Sequence, residues 1–375
     1  MKNKRFIKKH ISSKFFEFPK NSFSSWLYTK KFNYVTDKIS NFHSNLYLAN
    51  KTSKLDKFFI SRTFKFDFVF LNDEYTNQIV NKTISKKDME ELLREINILK
   101  SITVSIVIFP EEHITIFGES QHIPPSMTDF ISQTKMNVRF FNLVGTYFAF
   151  PVWAPEMRPC STRNSIQFSV SANQLEGSSE DTNTTLNRYM PSSASVYAKR
   201  YNPYINHNKR AENLETILYC CPSCKKLFSL YSEFNCVKCK ECGKVVEVLE
   251  NAEINLAKNI ENLDDFKKYQ FDVLSHQDFS IKPLVEYKNV LVCKPDIKNI
   301  KFIPIGDTDI VIYADKFTIE LADNKKKTYQ ISKIEKINLE YNNVVRIKFK
   351  NDELILRGDH KENFYILFDL IKIVK

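Results

Sequence analysis

The chain has 375 residues, 55 Lys or Arg against 44 Asp or Glu, a formal charge of +11 and 43% apolar side chains. That length holds two or three hydrophobic cores, and no apolar run approaches the roughly 20 residues of a bilayer-spanning helix, which excludes a multi-span channel or transporter. The basic N-terminus leads into no uninterrupted apolar segment of signal-peptide type, and cysteines in metal spacing suit a reducing compartment, so a cytoplasmic protein is expected and a secreted disulfide scaffold is excluded.

The basic character is local. Residues 1–65 carry 15 Lys or Arg and 3 Asp or Glu, a surplus of 12, so the remaining 310 residues sum to −1. Phe15, Phe16, Phe18, Phe23, Trp26, Leu27 and Tyr28 interleave there with Lys14, Lys20, Lys30 and Lys31. Aromatic rings suit the headgroup layer, and each lysine near an anionic leaflet contributes about 1 kcal/mol, so residues 1–38 are expected to meet an anionic membrane surface, with a solvated lysine-rich flank as the alternative. An RNA-binding tail is ordinarily rich in Arg and Gly, whereas this one is rich in Lys and Phe, which argues against nucleic acid as a partner.

Residues 45–60 read as a buried strand emptying into a polar turn, Asn50-Lys51-Thr52-Ser53, that ends at Asp56. Taken alone, that turn is accounted for as a cap on the next segment. Ser85 and Asp88 have capping-box spacing ahead of Met89, Leu92, Leu93, Ile96 and Leu99, predicting a helix over 86–100. A buried strand over 103–109 then delivers Phe109-Pro110-Glu111-Glu112-His113-Ile114-Thr115-Ile116-Phe117-Gly118. A helix over 125–135 and a strand over 137–144 lead into Gly145-Thr146-Tyr147 and, further on, Pro151-Val152-Trp153. The alternation predicts an α/β layer with a mainly parallel sheet and flanking helices over 39–207, its motif loops leaving one sheet edge.

Cys221-Pro222-Ser223-Cys224 and Cys239-Lys240-Glu241-Cys242-Gly243 form two knuckles separated by 14 residues, the spacing that sets four thiolates around zinc across a β-hairpin. Four soft ligands leave no open position for water, so Cys221, Cys224, Cys239 and Cys242 are expected to hold a structural zinc in a ribbon over 208–250. A register with Cys236 in place of Cys239 stays open. Cys160, Cys220 and Cys293 read as packed thiols. Residues 251–284 are polar and helix-leaning, a connector. From 285 to 375, short alternating segments at 309–313, 317–321, 328–331, 334–340, 344–349 and 353–356, turns at 322–324 and 342–343, and a helix at 362–373 predict a small β-rich domain. A bent sheet capped by a C-terminal helix resembles the pleckstrin-homology and GRAM class.

The blocks at Asn50–Asp56, Phe109–Gly118 and Gly145–Trp153, in this order, resemble the motifs of the glycerolipid acyltransferases (1-acylglycerol-3-phosphate acyltransferase, PlsC-like). The run Asn213-Leu214-Glu215-Thr216-Ile217-Leu218-Tyr219 ahead of Cys221 is similar to the helix-to-ribbon junction of one bacterial branch of that family. The resemblance, covering roughly residues 40–250, implies transfer of an acyl chain from acyl-CoA or acyl carrier protein to a lysophosphatidate-type lipid acceptor. It places Asp56 beside the catalytic base and Glu111, Thr115 and Gly118 at the substrate. Three positions depart from the pattern: Lys51 stands where the family has its histidine base, Glu112 replaces a Gly, and Ile114 replaces the Arg that grips phosphate. A lysine ammonium, with an ordinary pKa of about 10.4, is no base at neutral pH unless burial strips its proton. Little or no turnover is therefore expected, Lys51 serving as a point charge for phosphate. His113, beside Glu111, is a candidate substitute base; His43 lies off the motif register. The rival readings are a catalytically inactive lipid or membrane adaptor and a ribbon-based nucleic-acid binder.

Overall fold

The computed structural model describes residues 7, 11–19, 34–36, 39, 43–111, 113–190, 193–256, 260–277, 282–296, 301–320, 326–341, 343–358 and 362–375. The chain forms two compact units, Met1–Pro151 with Pro159–Ile205, and Val152–Arg158 with Asn206–Lys375. Among the described residues no helix is long and apolar enough to cross a membrane.

In chain order the first unit runs β1 (Phe16–Glu17), β2 (Tyr34–Thr36), β3 (Leu46–Ala49), α1 (Asp56–Thr63), β4 (Phe68–Leu71), α2 (Asp73–Val80), α3 (Lys86–Ser101), β5 (Ser105–Ile108), α4 (Pro125–Thr134), β6 (Val138–Asn142), α5 (Val144–Ala149), β7 (Thr162–Val170), α6 (Ser179–Arg188) and α7 (Ala194–Tyr201). The sheet order is β1-β4-β5-β3-β6-β7-β2. β3, β4 and β5 are buried at every residue, which is why they read as unbroken apolar runs instead of alternating ones. α3 begins where the Ser85 hydroxyl accepts the Asp88 N–H at 3.1 Å, and it buries Leu92, Ile96 and Leu99 along one stripe.

The pairs β4–β5, β5–β3, β3–β6 and β7–β2 are parallel, while β1 runs antiparallel to β4 and β7 to β6, so the sheet is mainly parallel, as expected, with antiparallel pairings toward its two edges. Between β6 and β7 the chain forms the six-residue α5 and then Val152–Arg158, which belongs to the second unit.

The reading of the N-terminal aromatics is corrected by the structure. Phe15 and Phe16, expected at a lipid surface, are 0% and 1% exposed and join Ile7, Ile11, Leu71, Tyr75 and Leu92 in the core, with Phe18 packed against the same cluster. β1 pairs with β4, Phe16 opposite Leu71, and the Ser12 N–H donates to Glu95 at 2.9 Å. Fully burying a Phe stabilises by about 1.5–3 kcal/mol, which outweighs an interfacial contact. Phe23, Trp26, Leu27, Tyr28, Lys20, Lys30 and Lys31 lie outside the described residues.

Two glycines are required by the seating of α7. Gly118 has φ +92°, and a Cβ there would lie 2.6 Å from the Ala194 Cβ; a Cβ on Gly145 would lie 2.7 Å from the Tyr197 hydroxyl. The Ala194 N–H also donates to the Gly118 carbonyl at 2.8 Å. Gly118→Ala therefore meets both a left-handed backbone and a side chain that cannot swing away, and should lower stability by about 1–3 kcal/mol. Urea unfolding checks this, an unchanged midpoint refuting it.

The second unit contains β8 (Leu230–Glu233), β9 (Cys236–Cys239), β10 (Gly243–Val248) and β11 (Ile254–Leu256) in one antiparallel sheet, then α8 (Leu263–Ser275). β12 (Val285–Asp296), β13 (Lys301–Ile312), β14 (Lys316–Glu320), β15 (Lys326–Gln330), β16 (Ile334–Glu340), β17 (Val344–Phe349) and β18 (Glu353–Arg357) form an antiparallel sheet ordered β15-β14-β13-β12-β18-β17-β16, and α9 (Ile366–Val374) follows. The expected segments from 317 onward match strands, the turn at 322–324 and Asn342 lying outside the described residues. The β12–β13 hairpin, twelve residues a side, was visible only at 309–313, because Pro295, Pro304 and Gly306 interrupt its alternation and its register shifts twice.

Residues 251–284 are more than a connector. α8 buries Leu263, Phe266 and Leu274, and the fully buried Gln270 accepts the Tyr219 N–H at 3.1 Å while donating to the Ile217 carbonyl at 3.0 Å. Tyr219 also donates its hydroxyl to Asp369 of α9 at 2.9 Å, and the Asn363 amide donates to the Glu215 carbonyl at 2.7 Å. The expected helix ahead of the first knuckle is a single 3-10 turn, Leu214–Thr216.

Candidate functional site

The chain leaves β3, passes outward to β4, returns to β5 between them, then crosses to β6 on the other side of β3. Such a reversal of strand order opens a crevice at the carboxyl ends of the strands. Leu48 is level with Ile108 on one side and Phe140 on the other, so the segments starting at Asn50, Phe109 and Leu143 emerge side by side. His43 precedes β3 and lies at the opposite edge.

Glu111, 1% exposed, ties two of these loops together: its carboxylate accepts the backbone N–H of Lys51 on one oxygen and that of Gln121, at 2.7 Å, on the other. The Thr115 N–H donates to the Lys51 carbonyl at 3.1 Å, so both peptide groups of Lys51 are held by the loop that follows β5. The Thr115 hydroxyl in turn accepts the Gly118 N–H at 2.9 Å. His113 is half-buried in the same loop, and its carbonyl accepts the Gln121 side-chain amide at 2.9 Å. Half-buried Ile114 brings no charge to the place expected to grip phosphate.

Asp56 opens α1, 2% exposed. One oxygen accepts the N–H groups of Thr52 at 2.6 Å and Ser53 at 2.8 Å; the other accepts the hydroxyls of Thr52 at 3.0 Å and Thr146 at 2.6 Å. Lys51 is not among these partners. The two hydroxyls are 2.5 Å apart, and both face the Leu143 carbonyl, at 2.6 Å from Thr146 and 3.2 Å from Thr52. The Asn50 side-chain oxygen accepts the Leu143 N–H at 2.7 Å. Burial pushes the Asp56 carboxyl up to about 7 against the pull of these hydrogen bonds. Burial likewise pushes Glu111 up to about 8; the Lys51 and Gln121 N–H groups and the Lys51 charge oppose it, and the Asp56 charge adds to it.

All five residues expected at this site, Lys51, Asp56, Glu111, Thr115 and Gly118, thus meet within one network, but not as the motif pattern implies. Lys51 joins it through its main chain, Asp56 closes its own turn, and Gly118 packs on Ala194. Sequence reasoning missed Thr52, Thr146 and Gln121. Thr146 stood at an unspecified position of a quoted block, and nothing local marked Gln121. It also missed Asn183 and Asn187 of α6, whose amides bind the Ile123 backbone: the Asn187 oxygen accepts its N–H at 2.6 Å, and both side-chain amides donate to its carbonyl, at 3.0 and 3.1 Å. They hold the segment carrying Gln121.

A second site lies in the ribbon. The sulfurs of Cys221, Cys224, Cys239 and Cys242 all fall within 4.8 Å of one another and can hold a metal ion such as zinc. Four ligands at a Zn–S distance of ~2.3 Å stand about 3.8 Å apart, and the Cys224–Cys239 sulfurs are 3.8 Å apart. The Glu241 N–H points at the Cys239 sulfur at 3.4 Å. Cys239, not Cys236, occupies the third position, and Cys160, Cys220 and Cys293 lie outside the cluster. Lys226, Lys238 and Lys244 pair with Glu241, Glu233 and Glu247 of the same segment.

No protein-family model matches the chain, and no curated protein matches it. Among solved structures it is similar to the 1-acyl-sn-glycerophosphate (LPA) acyltransferase PlsC from Thermotoga maritima, with 18% identity over 44% of this chain and 73% of that one and a TM-score of 0.35.

Proposed function

We propose that this chain is an acyltransferase-like protein whose β3, β5 and β6 loops bind an acyl thioester, as acyl-CoA or acyl carrier protein, and a lysophosphatidate-type acceptor, with little turnover. The observation that carries the reading is the clamp on Lys51: its peptide is fixed from both sides by Glu111 and Thr115, which holds position 51 rigidly at the crevice. Acyl transfer to a hydroxyl needs a proton acceptor at that position. Lys51 supplies an amine there, suited to hold a phosphate as a point charge. A structural zinc completes the ribbon and takes no part in the chemistry.

A specific observation favours a second reading, a non-catalytic lipid or membrane adaptor: every hydrogen bond to the Asp56 carboxylate comes from its own turn or from Thr146, so it is spent on architecture. Purified protein with an acyl donor and lysophosphatidate separates the two. Lys51→His should raise acyl transfer by about 100-fold or more from a low basal rate, and Asp56→Ala added to it should remove the gain. No transfer by either form, with lysophosphatidate still bound, assigns the adaptor. Deleting residues 1–65 would remove β3 and the core phenylalanines, so membrane contact is better tested by reversing Lys20, Lys30 and Lys31 to Glu. Vesicle flotation should then fall.

A further inference from the structure

In the seven-stranded sheet of the second unit β15 is the terminal strand among the described residues, so one of its sides has no strand neighbour. Beside it opens a cavity of about 430 Å³, walled by Thr328 and Tyr329 of β15, by Lys333 just beyond it, and by Phe349, Lys350 and Asp352 at the turn from β17 to β18. The Tyr329 and Phe349 rings, 5.2 Å apart between centroids, give it an apolar lining. Charge is spread unevenly around them. Asp352 already takes Lys294 at 3.2 Å and Lys327 at 3.0 Å, and Lys326 pairs with Glu320 at 3.2 Å. Lys333 and Lys350 are exposed, and neither has an ion-pair partner among the described residues. Lysines on a strand edge ordinarily keep other strands away. The two on β15 are instead drawn back onto Glu320 and Asp352, while the two with no local acid border the hollow.

An uncovered strand edge, an apolar hollow and two unmatched ammonium groups fit one occupant. An extended peptide can run its main chain along β15, send alternate side chains into the hollow and set carboxylates on the lysines. A compact polyphosphate has no apolar group for the rings, finds no arginine fork in the wall and meets the Asp352 carboxylate there. We propose that the cavity beside β15 docks an extended acidic peptide of a partner protein, with one aliphatic or aromatic side chain seated on Tyr329 and Phe349 and flanking Asp or Glu residues on Lys333 and Lys350. Such docking is independent of acyl transfer.

Fluorescence polarisation on the full-length, zinc-loaded protein tests it with short labelled peptides that carry Phe, Tyr, Leu or Ile between Glu residues. At least one should bind saturably, and replacing its apolar residue by Ser should weaken it roughly tenfold or more. Lys333→Glu combined with Lys350→Glu should weaken it on the order of tenfold, as two attractive charge pairs become repulsive. Lys86→Glu combined with Lys87→Glu, the same charge change at exposed positions of α3, should leave binding unchanged. Circular dichroism and zinc content should be the same in all three proteins. Saturable binding of inositol hexakisphosphate, or flotation with phosphatidylglycerol vesicles, either one lost on reversing Lys333 and Lys350 and with no peptide bound, would place a phosphate ligand there and overturn the proposal. Absence of saturable peptide binding, or equal weakening by the α3 reversal, overturns it as well.

Discussion

Replacing any one of Cys221, Cys224, Cys239 and Cys242 by Ser, or stripping the metal with a chelator, should unfold the ribbon and loosen the second unit around it. The ribbon sheet is built from strands of three to six residues, too little apolar area to stand without a staple. A structural zinc contributes about 10–16 kcal/mol to the folding of small peptides, as much as the whole stability of an ordinary domain. The effect should spread because Tyr219, two residues before Cys221, is the shared anchor of α8 through Gln270 and of α9 through Asp369. One zinc per chain is expected by elemental analysis, lost in each ligand variant, with faster amide exchange over 206–375. Cys236→Ser and Cys293→Ser should keep the zinc. A Cys221→Ser protein that retains both metal and exchange protection would refute the assignment.

That site was legible because its signal is local: two Cys-x-x-Cys knuckles carry their own turn geometry and their separation fits a hairpin. The strands and helices of the first unit were legible for a similar reason, as apolar runs and the Ser85 cap write their structure in adjacent residues. What the sequence did not disclose are pairings across long separations. Thr146 reaches Asp56 from 90 residues away, Tyr219 reaches Asp369 from 150, and neither has a periodicity to betray it. Phe15 and Phe16 misled because an aromatic beside a lysine looks the same whether it meets lipid or a sheet edge; the pairing of Phe16 with Leu71 decides it. The three motif blocks lie on loops that leave β3, β5 and β6 side by side, a juxtaposition that comes from the strand pairing. Their hydrogen bonds describe a clamp on Lys51 and a closed turn at Asp56.

The protein should be more stable near pH 5 than near pH 8, and Asp56 and Glu111 should account for much of the difference. Both carboxyls are raised by burial, to about 7 and about 8. A raised folded-state pKa stabilises below the ordinary carboxylate range, and that stability is lost as pH climbs from about 4 through 7 and 8. At about 1.4 kcal/mol per unit, the loss is on the order of several kcal/mol. The hydroxyl geometry supports a proton on Asp56: Thr52 and Thr146 have two hydroxyl hydrogens for their mutual contact, the Leu143 carbonyl and the Asp56 oxygen, and a protonated carboxyl adds a third. The two isosteric variants should then differ. Asp56→Asn can place its oxygen on the Thr52 and Ser53 N–H groups and its amide on the hydroxyls, so it should flatten the pH dependence at small cost. Glu111→Gln has one oxygen for two N–H donors, Lys51 and Gln121, so it should also flatten the dependence but lose about 1–3 kcal/mol at pH 5. Urea midpoints measured from pH 5 to 8 on the three proteins check both, and a slope preserved in both variants would place the titrating groups elsewhere.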